Sequence, residues 1–172
     1  MSEIDISALD LHDQFGSNYL TARDLDFYSL LRRRGEDGSL YFNRQRAVLF
    51  ESDAIGKLRQ QLITHLGPKQ TMEILLRFGY AQGDKDASLL GNNVNWASDA
   101  DWLAAGNMLP MLSGMARIET QVLEYDRETG QFYMKGYWHN SYEAMEHLKH
   151  FETSAEPVCW ALAGYASAYS SR

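Results

Sequence analysis

Two segments in the second half of the chain alternate between apolar and polar residues, which is the period of a β-strand. In residues 131–138 the alternation places on one face Phe132, Met134, Gly136 and Trp138. In residues 115–124 it places on one face Ile118, Thr120 and Val122. Residues 126–130 are turn formers that end in glycine, so the pattern predicts an antiparallel hairpin whose inward faces lie opposite one another.

Helical periodicity is clearest between residues 52 and 80. The first helix is predicted from apolar residues at Ile55, Leu58, Leu62, Ile63 and Leu66. The pair Gly67-Pro68 predicts its end. A second helix is predicted from Met72 through Tyr80, and because it is apolar over most of its circumference we expect it to be buried.

The next helix is predicted to be short. Ser98 is a candidate N-cap for a helix over residues 101–105, which Gly106 closes. Residues 91–93 before it are predicted to form a loop. Residues 108–112 after it are expected to lead directly into the first strand of the hairpin.

The ends of the chain complete the fold prediction. A short helix is predicted before Arg34, and a small hairpin over residues 39–50. Ser141 is a candidate cap for a helix after the long hairpin, and Pro157 can open the last helix, which is rich in small residues and runs to Tyr169. This order indicates an α+β fold, with an antiparallel sheet and helices packed on one side.

Composition narrows the functional classes. With 172 residues, 45% of them hydrophobic, the chain is expected to fold as one domain. The net charge of −7 argues against direct nucleic acid binding, because phosphate contacts need clustered Lys and Arg and the basic run 32–34 is short. A single cysteine and the lack of a signal peptide pattern predict a cytoplasmic protein. No apolar stretch reaches the roughly 18 residues that span a membrane.

Enzymatic hypotheses rest on two weak features, since a phosphate-binding loop, a nucleophile elbow and a zinc-protease motif are all missing. Cys159 could act as a nucleophile with His139 or His147 as its base. His147 and His150 could hold a metal on one helix face. A lone cysteine beside Val158 is more typically a small buried hydrophobic residue. Histidines at this spacing are more typical of a solvated helix face. A scaffold that only dimerises is a third hypothesis.

Several motifs occur in an order that matches a known family from about Ser39 onward. They are Arg46-Ala-Val-Leu-Phe50, Ser52-Asp-Ala-Ile-Gly-Lys-Leu-Arg59, Leu76-Arg-Phe-Gly-Tyr-Ala-Gln-Gly-Asp-Lys-Asp86, Leu112-Ser-Gly-Met115, Gly130-Gln-Phe-Tyr133, Glu156-Pro-Val-Cys-Trp160 and Gly164-Tyr-Ala-Ser-Ala-Tyr-Ser170. In this set the chain resembles the N-terminal sensor domain of XylR/DmpR-type transcription activators.

The resemblance implies a function in regulation rather than catalysis. Domains of this vinyl-4-reductase type, related to the Bet3 trafficking proteins, bind a small aromatic effector and usually dimerise. They restrain an AAA+ ATPase that works on sigma-54 RNA polymerase, in a longer polypeptide that also carries a DNA-binding domain. On this basis we expect residues 1–38 to be an N-terminal helical and dimerisation segment and residues 39–172 to be the effector-sensing domain.

The effector pocket is expected between the hairpin and the neighbouring helices. Trp138 is the candidate aromatic partner because it ends the alternating strand and can stack on an aromatic ligand, although an ordinary core tryptophan would give the same pattern. Gly136 is expected to leave space beside it. The other predicted lining residues are Leu103, Pro110, Met111, Ile118, Thr120, Val122, Phe132, Met134, Trp160 and Tyr165.

Two departures from the family matter. Phenol-sensing members carry a histidine in the segment Leu-His-x-Leu-x-Gly, and the matching stretch here is Leu109-Pro-Met-Leu-Ser-Gly114. Pro110 has no side-chain donor, so we expect an alkylbenzene-type hydrocarbon to be preferred over a phenol.

The family's structural zinc is held by a cysteine that corresponds to Cys159 and by ligands further on. We therefore expect no zinc in this chain and a zinc site only in a longer one, with the domain truncated at its zinc-binding end.

Overall fold

The computed structural model describes residues 19–35, 37–126 and 128–172. The helices are α1 (Phe27–Leu30), α2 (Ser52–Asn93), α3 (Asp99–Leu112), α4 (Tyr142–His150) and α5 (Trp160–Ser170), with a 3₁₀ turn at Ala22–Asp24. The strands are β1 (Leu31–Arg33), β2 (Leu40–Phe42), β3 (Gln45–Ala47), β4 (Arg117–Asp126) and β5 (Gln131–His139). Most of the predicted dimerisation segment, residues 1–18, lies outside the described residues.

The strands form two small antiparallel sheets. One has the order β1-β2-β3 and the other is the pair β4-β5. The predicted α+β class with antiparallel strands and packed helices is confirmed, and the strands are divided between two sheets. None of the helices in these described ranges is long and apolar enough to cross a membrane.

The small hairpin β2-β3 closes through a two-residue turn. Phe42 pairs with Gln45, and the two residues between them, Asn43 and Arg44, both have positive φ, at 47° and 62°. This is the backbone of a tight hairpin turn, and asparagine tolerates it better than most residues. Strand β3 ends at Ala47, so residues 48–50, which were predicted to belong to it, lie outside the sheet and are exposed.

Helix α2 consists of two helical parts joined at Gly67. This residue has φ 80° and ψ 164°, which confirms the predicted break, and Pro68 begins the second part. The second part continues to Asn93, through the predicted loop at 91–93. Its predicted burial is wrong in part, because three large side chains are 44%, 60% and 47% exposed: Ile74, Phe78 and Tyr80.

Small residues form the buried face of this second part. A Cβ at Gly79 would overlap the carbonyl oxygen of Ala161, and a Cβ at Gly83 would overlap that of Tyr165. From the other side, a Cβ at Gly164 would overlap the carbonyl oxygen of Leu76. Helices α2 and α5 therefore pack backbone against backbone, which only glycine at these positions permits.

Helix α3 begins as predicted and ends later. The Ser98 side chain accepts a hydrogen bond from the amide of Asp101 at 3.1 Å, which confirms the N-cap. The helix does not close at Gly106 and runs through Pro110 to Leu112. Proline removes the hydrogen bond to the carbonyl four residues earlier and its ring crowds that carbonyl, and here both effects fall in the last turn of the helix. Residues 108–112 are therefore helical and do not form a direct lead into the strand.

The main core lies where the C-terminal part of α2, helix α3 and helix α5 meet. The segment before β1 also enters it. Its buried residues are Ala22, Leu25, Leu30, Ala87, Leu90, Ala105, Leu109, Tyr165 and Tyr169.

Candidate functional site

The β4-β5 hairpin presents one face to helix α3. In this face Ile118 pairs with Trp138 and Thr120 pairs with Gly136. A bulge follows Thr120, so that Val122 pairs with Lys135. Because a one-residue insertion moves every later side chain to the other face, the prediction that Val122 shares the inward face is wrong.

The bulge also decides which later residues share the inward face. Leu123 pairs with Met134 and Tyr125 pairs with Phe132, so these two β4 residues take the place predicted for Val122. Phe132, Met134 and Trp138 are half-buried, as the alternation predicted for β5, whereas Gly136 on the same face is exposed.

Helix α3 is fixed to this face by Asn107. Its Nδ2 donates to Oγ1 of Thr120 at 2.9 Å and lies 3.3 Å from Sδ of Met134. One side chain thus joins α3 to both strands of the hairpin. Sequence reasoning missed Asn107, although its position between Leu103 and Met111, at a spacing of four residues, placed it on the same helix face.

Gly136 has a different effect from the one predicted. A Cβ at this position would overlap the carbonyl oxygen of Glu119 on the paired strand. The missing side chain therefore allows the two backbones to approach closely, and the expectation that it leaves space beside Trp138 is wrong. Thr120 and Gly136 themselves are both exposed.

The remaining predicted lining residues are spread over three places. Leu103 and Pro110 are buried on α3 and Met111 is half-buried. Tyr165 is buried in the main core, where it stacks on Tyr169. Trp160 lies beside the N-terminal part of α2, with the Arg59 guanidinium 4.2 Å from the centre of its ring. Trp160 and Tyr165 therefore contact different parts of the protein.

A groove of about 450 Å³ lies at the turn end of the hairpin. Of the predicted lining residues only Phe132 borders it. Its other walls are Glu124, Tyr125, Asp126, Gln131 and Tyr133. This groove is more acidic than the site predicted beside Trp138.

A buried ion pair holds the start of α5. Arg59 is 4% exposed, Glu143 is 2% exposed, and Nη1 of the arginine lies 3.1 Å from Oε1 of the glutamate. The same carboxylate accepts hydrogen bonds from the amides of Ala161 at 3.0 Å and Leu162 at 2.9 Å. Helix α5 begins at Trp160 rather than at the predicted Pro157, and Glu143 caps it from α4.

Burial dominates the electrostatics of this pair. Burial raises the pKa of Glu143, although the amide hydrogen bonds and Arg59 act to lower it. Burial lowers the pKa of Arg59, although the attraction of Glu143 acts to raise it. Both shifts disfavour the charged forms, which is the behaviour of an ion pair whose desolvation outweighs its attraction. Within the described part of the chain, Nε and Nη2 of Arg59 have no hydrogen-bond partner.

Cys159 has the surroundings of a structural thiol. Its Sγ donates to Oγ of Ser141 at 3.1 Å, and burial raises the pKa of the thiol, so the reactive thiolate is disfavoured. Ser141 does not cap α4 with its side chain, contrary to the prediction.

Among the residues that the structure describes, no three His, Cys, Asp or Glu side chains are grouped to hold a metal, at Cys159 or at His147 and His150. These residues do not fit a zinc site, and the absence of zinc from this chain stays a prediction.

A buried carboxylate connects the small hairpin to the core. Asp86 on α2 is buried and accepts a hydrogen bond from Nδ2 of Asn43 at 3.1 Å. The Tyr165 hydroxyl lies nearby. Burial, opposed by these polar neighbours, raises the pKa of Asp86 to about 6.

Replacing Asp86 by asparagine is expected to remove part of the pH dependence of stability. Because the folded pKa lies above the ordinary value of 3.8, the stability that this group contributes is complete below pH 4 and is lost as the pH rises through about 6. The loss is about 2 to 3 kcal/mol, and the variant should therefore unfold at higher urea concentration than the unmodified chain at pH 7.

The control for this variant is Asp84→Asn, which alters a half-buried carboxylate on the same helix that pairs with Arg172. Urea unfolding at pH 4 and pH 7 measures both. Equal losses of stability between these pH values in Asp86→Asn and in the unmodified chain would show that Asp86 is not the group responsible.

Comparison with known proteins places this architecture in a family. The family model described as "Activator of aromatic catabolism" matches residues 26–126, more than half of the chain. The chain belongs to the XylR N-terminal family. The resemblance inferred from the ordered motifs is confirmed.

Two regulators illustrate the relationship to the XylR N-terminal family. The chain is 34% identical over 136 residues to the phenol regulator MopR of Acinetobacter guillouiae, which covers 79% of this chain and 24% of MopR. It is 27% identical over 146 residues to the transcriptional regulatory protein XylR of Pseudomonas putida, covering 85% and 26% respectively. The chain thus spans about a quarter of the length of these regulators.

A solved structure supports the fold. The phenol-responsive sensory domain of the transcription activator PoxR, determined with phenol, superposes with a TM-score of 0.80 at 29% identity. The match covers 84% of this chain and 72% of the PoxR chain. MopR and XylR are regulators and the PoxR match is a sensory domain, which confirms the expectation of a sensor domain rather than an enzyme.

Proposed function

We propose that this sensor domain binds its aromatic effector in the cleft between α3 and the β4-β5 hairpin. The observation that supports the site best is the contact of Asn107 with both strands, because it sets α3 over the hairpin face that ends in Trp138. A half-buried tryptophan beside an apolar helix can stack on an aromatic ring. In the whole protein, binding would control a cytoplasmic sigma-54-dependent activator through AAA+ ATPase and DNA-binding domains of the same polypeptide.

The preferred effector is an alkylbenzene-type hydrocarbon rather than a phenol. By the motif resemblance Pro110 takes the position of the histidine of phenol-sensing members, and it offers no side-chain donor or acceptor. A phenol hydroxyl that enters the cleft would exchange its hydrogen bonds with water for none at this position. The penalty is about 1 to 3 kcal/mol, roughly tenfold to a hundredfold in affinity. Toluene has no polar group and avoids this penalty.

Replacing Pro110 by histidine should therefore improve phenol binding relative to toluene by roughly tenfold or more. The imidazole supplies the missing hydrogen bond, and the new backbone amide suits a helix. Calorimetric titration with each compound measures the ratio. The control is Pro68→His, which makes the same exchange at an exposed site on α2. A ratio that is unchanged in Pro110→His would contradict the role assigned to this position.

The same domain is proposed to form a homodimer through the exposed apolar side of α2. Ile74 and Phe78 are one helical turn apart on the same side of α2 and are 44% and 60% exposed. A monomer gains nothing from this exposure, whereas a second copy would cover it.

Replacing Ile74 and Phe78 by glutamate should shift the chain from dimer to monomer. Four carboxylates would face one another in the symmetric interface without partners. Sedimentation velocity measures the change. The matched control replaces Met145 and Leu148 on α4, which are exposed and three residues apart, by glutamate and should leave the dimer intact. Retention of the dimer in the α2 variant would rule out this surface.

A further inference from the structure

The amide of Asn107 is held in one orientation. Its nitrogen approaches two acceptors, Oγ1 of Thr120 at 2.9 Å and Sδ of Met134 at 3.3 Å. An amide oxygen at this position would face the lone pairs of the sulfur, so the nitrogen is the atom that belongs there. The amide oxygen and nitrogen point in different directions from Cγ. Holding the nitrogen against Thr120 and Met134 therefore keeps the oxygen away from these two residues.

Asn107 is also the one polar side chain in its helical stripe. Leu103, Asn107 and Met111 follow one another at intervals of four residues, and Pro110 lies three residues after Asn107. The other three side chains of this stripe are apolar and are buried or half-buried. Asn107 is therefore the polar side chain on α3 that lies closest in the sequence to Pro110.

We propose that Asn107 is a latent polar subsite of the effector cleft and that Thr120 keeps it closed to hydroxylated aromatics. This inference rests on the proposed function, since it concerns the selectivity of the same cleft. With one N–H used by Thr120 and the other directed at Met134, the amide offers no donor to a ligand. A hydrocarbon has no atom that accepts an N–H, whereas the hydroxyl oxygen of a phenol accepts one.

Thr120 is the stronger of the two partners. An amide hydrogen bond to a hydroxyl oxygen is stronger than one to a thioether sulfur, which is a weak acceptor. Removal of the Thr120 hydroxyl would leave the amide held by the sulfur alone. It could then turn and give an N–H or its oxygen to a ligand hydroxyl. Selectivity against phenol thus depends on Thr120 as well as on Pro110.

The test compares Thr120→Val with the unmodified chain by calorimetric titration with toluene and with phenol. Valine has the shape of threonine and suits an exposed strand position. We expect phenol affinity relative to toluene to rise about tenfold, which corresponds to one hydrogen bond. Adding Asn107→Leu to this variant should return the ratio to that of the unmodified chain. Thr64→Val, on the exposed face of α2, is the matched control and should not change the ratio.

The outcomes separate this inference from the proposed function. If the unmodified chain binds neither compound, both are overturned. Suppose that it binds toluene and that the affinity for phenol relative to toluene in Thr120→Val stays within twofold of that in the unmodified chain. Then only the latent subsite is overturned. Met134→Leu provides a second variant should Thr120→Val lose its folded circular dichroism spectrum, and it is expected to raise the ratio by a smaller factor. No change in that variant would overturn the inference in the same way.

Discussion

Replacing Glu143 by alanine is expected to lower the free energy of unfolding by about 3 to 5 kcal/mol. The carboxylate has three buried partners, Arg59 and the amides of Ala161 and Leu162. Its removal leaves the Arg59 charge buried without its counter-ion. It also leaves the start of α5 uncapped, since Cys159 at the N-cap position makes no capping hydrogen bond with its side chain. Urea unfolding followed by circular dichroism measures the loss.

Two controls define the origin of this effect. Glu119→Ala removes a carboxylate from an exposed pair with Arg117 and should change stability by less than about 1 kcal/mol. The double variant Arg59→Met with Glu143→Leu should be clearly more stable than Glu143→Ala, because it removes both buried charges together. A loss below about 1 kcal/mol in Glu143→Ala would show that the pair is not the connection between α2, α4 and α5 described above.

Replacing Gly79 by alanine is expected to destabilise the protein by about 3 kcal/mol or more. The added methyl group would overlap the carbonyl oxygen of Ala161, and a backbone atom cannot turn aside as a flexible side chain can. Helices α2 and α5 would have to separate, which would expose part of the core around Tyr165. The measurement is again urea unfolding.

The control is Gly91→Ala in the same helix. At this position the nearest atom to the added Cβ is Nε1 of Trp102 at 3.5 Å, an ordinary contact. Alanine is there expected to stabilise the protein by about 0.5 to 1 kcal/mol, because glycine loses more conformational freedom on folding. Opposite signs in the two variants would identify helix packing as the cause. Equal and small effects would contradict the close contact at Gly79.

Local features of this fold could be predicted from the sequence. The break at Gly67, the N-cap at Ser98 and the hairpin turn after residue 126 each depend on neighbouring residues only. The small residues of α5 indicated a close approach. The element that they contact could not be predicted, because a pattern of small residues does not show that its partner is the glycine face of α2.

Long-range contacts could not be predicted in the same way. Arg59 and Glu143 are 84 residues apart in the sequence, and neither lies in a pattern that indicates a buried charge. The bulge after Thr120 is another example, since simple alternation assigned Val122 to the wrong face and a single inserted residue has no signature there. The family resemblance gave the function but not Asn107, which differs in kind from the apolar residues around it.

The proposed site between α3 and the hairpin is expected to bind a small aromatic effector and to prefer a hydrocarbon. The most direct measurement is calorimetric titration of the purified chain with toluene and phenol at the same temperature and buffer. We expect one site per chain, with a Kd for toluene roughly tenfold or more below that for phenol. Tighter binding of phenol than of toluene would contradict the assigned selectivity, and binding of neither compound would contradict the site itself.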